Sequence, residues 1–111
     1  MADILKRLGA VAPSATTETD LYEVPDLAQT TCSSLVVCNR GGTSGTFRIA
    51  VCPGGGATAN EDYLFYDAPV NANTTLNAIQ GLTLAQTDKI KVYASTANFS
   101  FSLFGIETTS D

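Results

Sequence analysis

From Phe47 to Cys52 the chain alternates without a fault. Phe47, Ile49 and Val51 fall on one parity, and Arg48, Ala50 and Cys52 on the other. A period of two predicts a strand with one face toward a core. Residues 89–95, KIKVYAS, repeat the pattern with Ile90, Val92 and Ala94 inward and Lys91 and Tyr93 outward. Residues 99–107, FSFSLFGIE, begin the same way with Phe99, Phe101 and Leu103, until Phe104 puts a large ring on the serine side. Alternation turns Phe104 and Ile106 outward at the end of the last strand. A small β domain often has an open edge there, which makes both residues candidate contacts for a neighbouring segment or subunit.

Four other segments carry weaker strand signals. DLYEVP (20–25) is short and closed by Pro25, and SSLVVCN (33–39) is an apolar run ended by the turn-forming RGGTSG. YLFYDAPV (63–70) opens with four large residues in a row, which predicts cover on both faces. LNAIQGLTL (76–84) predicts a strand with a bulge at Gly81, and a helix across Ala78 to Ala85 is its competitor. No segment after residue 20 has helical periodicity. The pattern predicts an all-β fold, an antiparallel β-sandwich with either immunoglobulin-like or jelly-roll connections. Phe47, Ile49, Val51, Ile90, Val92, Phe99, Phe101 and Leu103 are expected in one core.

The first nineteen residues differ. ILKRL is followed by GAVAPSATTETD, a linker composition. Residues 1–19 therefore read as an extended N-terminal arm, and residues 20–111 as a sandwich expected to fold without it. Ile4, Leu5 and Leu8 are the apolar anchors of such an arm, with Lys6 and Arg7 free to meet acidic groups on a neighbour.

Composition narrows the chemistry. The chain has 111 residues, a length suited to one domain, with a formal net charge of −5. Its six basic residues form no stripe, which argues against nucleic-acid binding. No apolar run is long enough to span a membrane, and the N-terminus does not read as a signal peptide. Histidine is absent, removing the commonest general base and zinc ligand. Glu61, Asp62 and Asp67 cluster around one strand, but Asp62 and Asp67 have opposite parity and do not share a face, so turn formation is favoured over acid–base or calcium chemistry. GGGATA (54–59) has no lysine and hydroxyl at the fixed positions, ahead of a helix, that a phosphate loop requires. No metal or cofactor is expected.

Cys32, Cys38 and Cys52 are an odd set without metal spacing. If 33–39 and 45–52 form a hairpin with Asn39 opposite Gly45, Cys32 falls opposite Cys52. Facing Cα atoms about 4.5 Å apart are near the lower limit for a disulfide. A Cys32–Cys52 disulfide is thus feasible in one register. Three reduced, half-core thiols are the alternative, and the one favoured for a protein made in the cytosol.

The order of LYEVP, CNRGGTSGTFRIAV, YLFYDAPV, GLTLAQTDKIKVYAS and FSFSLFGIE resembles a group of small virion proteins of tailed bacteriophages. ILKRLG at the start resembles theirs too, so the likeness covers almost the whole chain. LNAIQGL departs from it, since the family's strand there alternates more strongly. The resemblance implies a non-enzymatic structural protein of the virion, assembled in the bacterial cytoplasm. It implies foremost a decoration or cement protein that binds the major capsid protein and forms homo-oligomers, with a trimer favoured. A tail, baseplate or fibre-associated module is the alternative. A host-carbohydrate-binding sandwich is a third reading, weakened by the lack of tryptophan.

Overall fold

A computed structural model describes residues 2–79 and 81–109. They form nine strands: β1 (Ala2–Val11), β2 (Thr19–Glu23), β3 (Ala28–Asn39), β4 (Gly45–Cys52), β5 (Tyr63–Val70), β6 (Thr74–Ile79), β7 (Leu82–Leu84), β8 (Lys89–Ala94) and β9 (Phe99–Thr109). One antiparallel sheet has the order β1-β9-β3-β6, with β7 also on β3, and the other has the order β2-β8-β4-β5. We call them the first and second sheets. β6 pairs with residues 35–39 of β3 and β7 with residues 30–32, so the two are one interrupted strand. The break falls at Gly81, whose φ of 89° suits glycine. Counted that way, eight strands form two four-stranded sheets in the order of a jelly roll, with only β4 and β5 consecutive in one sheet. Topology thus decides between the two sandwich types that the pattern left open. The helix that competed across Ala78 to Ala85 does not form.

Between the sheets lie the residues that period two assigned. Phe47, Ile49, Ile90, Val92, Phe99, Phe101 and Leu103 are fully buried together with Leu35 and Val37. Phe47 of the second sheet meets Phe101 of the first edge-on, with ring centroids 6.2 Å apart. Val51 faces inward opposite Ile90 but is only half-buried at the rim. Ala50 and Cys52 point outward, opposite Lys91 and Lys89, yet both are buried. The segment 53–62 covers them. Cys52 Sγ lies 3.4 Å from Thr58 Oγ1, and Lys91 Nζ donates to the Gly56 carbonyl at 3.2 Å.

Four expectations are corrected. Residues 2–11 are not a free arm. They are β1, paired along their length with β9, so the expected boundary at residue 20 cuts through a sheet. β9 in turn is no edge, because it lies between β1 and β3. RGGTSG does not close a hairpin. It carries the chain from β3 in the first sheet to β4 in the second, so Cys32 and Cys52 never face each other and all three thiols are free. β5 is not covered on both faces. It is the second sheet's edge, and its two bulges against β4 leave Leu64 and Tyr66 exposed.

Candidate interaction surface

Register assigns the outer face of the first sheet. On β9, Phe104 and Ile106 point away from the core, because Phe101, Leu103 and Glu107 point into it. Leu5 lies opposite Ile106, and Arg7 opposite Phe104. Across β9 stand Thr31, Ser34 and Val36 of β3. Leu5 is 76% exposed and Phe104 38%. An apolar stripe from Leu5 through Ile106 and Phe104 toward Val36 therefore crosses three strands, framed by serine and threonine.

The structure divides the seven residues singled out from sequence. Leu5, Arg7, Phe104 and Ile106 come together on this outer face. Ile4, Lys6 and Leu8 do not. Leu8 sits at a bulge in the β1 ladder and packs against the core. Ile4 and Lys6 are on the inner parity, opposite Glu107 and Gly105, although Ile4 stays accessible at the strand's end. Lys6 Nζ reaches Glu107 Oε1 at 3.2 Å. The cation expected to meet a neighbour is thus committed within its own chain.

Glu107 is the centre of a buried polar network that pattern reading missed. Its Oε2 accepts a hydrogen bond from the Tyr22 hydroxyl of the other sheet. The same hydroxyl lies 2.8 Å from Thr30 Oγ1 of β3. Four strands, β1, β2, β3 and β9, are tied at one end of the sandwich. A buried carboxylate is tolerated when it is paired and hydrogen-bonded, as here. The single signal in sequence was parity, which put Glu107 in phase with Phe101 and Leu103. A charged residue at a strand end usually reads as solvated.

A second cluster lies on the outer face of the second sheet. Arg48 forms a fork with Asp67, Nε to Oδ1 at 2.7 Å and an Nη to Oδ2 at 3.3 Å. Its guanidinium is sandwiched between the rings of Tyr66, 4.1 Å away, and Tyr93, 4.3 Å away. The Asp67 hydrogen bond raises the already high pKa of Arg48. The β5 bulge brings Tyr66 and Asp67 to Arg48 together. Asp62 accepts the Ala59 N–H in a turn. Of the carboxylates weighed for catalysis, Asp62 thus serves a turn and Asp67 an ion pair.

Burial disfavours ionisation of two groups in or beside the Glu107 network. It raises Tyr22 well above the tyrosine range, with the hydrogen bond to Glu107 adding to the shift. Burial also pushes the Cys32 thiol up to about 11. Both groups keep their protons in the folded state at pH values where the unfolded chain releases them. Their contribution is complete below pH 9 and is lost as pH rises, at up to about 1.4 kcal/mol per pH unit for each group. Urea denaturation from pH 7 to 11 should show a level midpoint that declines above pH 9. Cys32→Ala should remove the first part of the decline, and an unchanged profile would refute this assignment.

Among the described residues no group of three His, Cys, Asp or Glu side chains is placed to hold a metal ion. A shallow depression of about 410 Å³ beside β3 and β7 is lined by Gln29, Thr30, Thr31, Thr83, Leu84, Ala85 and Asp88. Its one carboxylate, Asp88, accepts hydrogen bonds from the backbone N–H groups of Gly54 and Ala85. Class and surface therefore define a jelly-roll domain with an apolar outer face. No model of a known protein family matches the chain, and no curated protein is significantly similar to it.

Proposed function

We propose that this protein is a non-enzymatic structural component of a tailed-bacteriophage particle, foremost a decoration protein that cements the major capsid protein. The observation that carries the reading is the outward stripe of exposed Leu5 and Phe104 with half-buried Ile106 between them, on a paired, well-anchored sheet. An apolar face on a rigid sheet suits contact with protein, since it needs little ordering on binding. Burying it gives about 25 cal/mol per Å² before ordering costs, multiplied over every copy in a shell. The resemblance of the sequence to phage virion proteins supports the same reading. Jelly rolls also build viral capsid domains, which is support by analogy of fold alone.

Quantitative mass spectrometry of purified particles tests the reading. A copy number comparable with that of the major capsid protein is expected. A copy number far below it would place the protein in the tail, baseplate or fibre, and absence from particles would overturn the proposal. Phe104→Ser should leave the fold intact and weaken binding to heads, because its ring points outward.

A further inference from the structure

We propose that two copies of this chain pair through β1, edge to edge and antiparallel, about a twofold axis at Leu5. The inference does not depend on where the protein resides.

β1 is the free edge of the first sheet, and its ladder with β9 is regular from Ala2 to Arg7. An edge strand of this kind offers a row of backbone donors and acceptors to another strand. Edges are commonly protected by an outward lysine, a proline or a bulge. Here the bulge lies beyond Arg7, and Lys6 is drawn inward to Glu107. The regular stretch 3–7 is left open, with Leu5 at its centre.

Side chains select the register. A twofold axis through a continuous sheet keeps each strand's outer face on the same side, so facing residues must share parity. With Leu5 opposite its own mate, Asp3 faces Arg7 of the second copy, twice. All three are on the outer face, opposite Thr108, Ile106 and Phe104 of β9. Moving the axis to Lys6 would set two lysines against each other, and moving it to Ile4 would set Asp3 against Leu5. Only the register centred on Leu5 joins unlike charges and stacks leucine on leucine. Across that axis Ile106, Leu5 and their two mates form one continuous apolar row.

Arg7 also lacks an ion-pair partner in its own chain among the described residues. Lys6, Arg48, Lys89 and Lys91 each have a carboxylate, and Arg40 donates to the carbonyls of Ala97 and Phe99. Asp3 is held in place by the Thr108 hydroxyl at 2.8 Å. A fixed carboxylate and an unpaired guanidinium, two positions either side of an exposed leucine, are self-complementary. The pairing is twofold, in place of the trimer that the sequence resemblance implies.

Sedimentation equilibrium on the full chain tests this with two reversals, Arg7→Asp and Asp3→Arg. The wild type should dimerise. Each variant alone sets like charges across the axis twice and should raise the dimer Kd by about tenfold or more at low salt. An equimolar mixture of the two restores both ion pairs and should form a heterodimer as tight as the wild type. That recovery also shows both variants to be folded. A wild type that stays monomeric at about 100 µM, a threefold species, or a mixture no tighter than the single variants overturns the proposal.

Discussion

Phe101→Ala is expected to lower the unfolding free energy by about 3–5 kcal/mol. Phe101 is fully buried on β9, between Val11 of β1 and Val37 of β3. Its ring also meets Phe47 of the opposite sheet, and Phe99 with centroids 6.4 Å apart. Truncation leaves a void whose walls belong to both sheets. Collapse into it would need β9 to move, yet β9 is held by strands on either side, so relaxation is limited. The loss is a large part of the ~5–15 kcal/mol that stabilises a whole domain. Urea denaturation at pH 7 measures it. A loss under about 1 kcal/mol would mean that the ring does not bridge the sheets.

Gly105→Ala should cost about 3 kcal/mol or more, although it adds only one methyl group. A Cβ at this position would lie 2.2 Å from the Thr31 carbonyl oxygen and 2.9 Å from Cys32 Cα. Both are backbone atoms of β3, so no side chain can swing aside. The β3 ladder shifts register between Cys32 and Ser34, and this irregularity brings the two backbones together. Relief would have to open the β3–β9 ladder beside Glu107. Gly42→Ala is the control, because a Cβ there meets nothing within 4 Å. That change should stay within about 0.5 kcal/mol of the wild type. Equal stability of the two variants would show that β3 and β9 are not so close.

These two sites differ in how far they could be read in advance. Phe101 follows from alternation, since Ser100 and Ser102 flank it. Gly105 carries no such signal, because the need for glycine arises from the neighbouring strand.

The candidate surface shows the same division. Parity alone turned Phe104 and Ile106 outward, and the structure keeps them there. It could not foresee that Leu5 and Arg7 would complete their face, because that follows from β1 lying beside β9. Nor could it foresee that Lys6 would turn inward to Glu107. ILKRL sets two apolar residues beside two basic ones without alternation, so it does not announce a strand.

By itself the sequence determined the strands after residue 20 in outline, and which side of most of them is wet. It placed Ile90, Val92 and Ala94 inward on β8, and Phe99, Phe101 and Leu103 inward on β9. These are local properties, because successive side chains of a strand point to opposite faces whatever its neighbour. Tertiary structure alone decided which strand lies beside which. RGGTSG has the composition of a hairpin turn, yet it crosses between the sheets and sets Cys32 and Cys52 on separate layers. The same crossings brought β1 to the edge of the first sheet, put β9 inside it, and buried Glu107 against Tyr22. Pairing joins residues as far apart as Asp3 and Thr108. No local period carries information over that distance, and closing the longer loop costs only about 0.6 kcal/mol for each doubling of its length. The burial that all eight jelly-roll strands achieve together selects the partners.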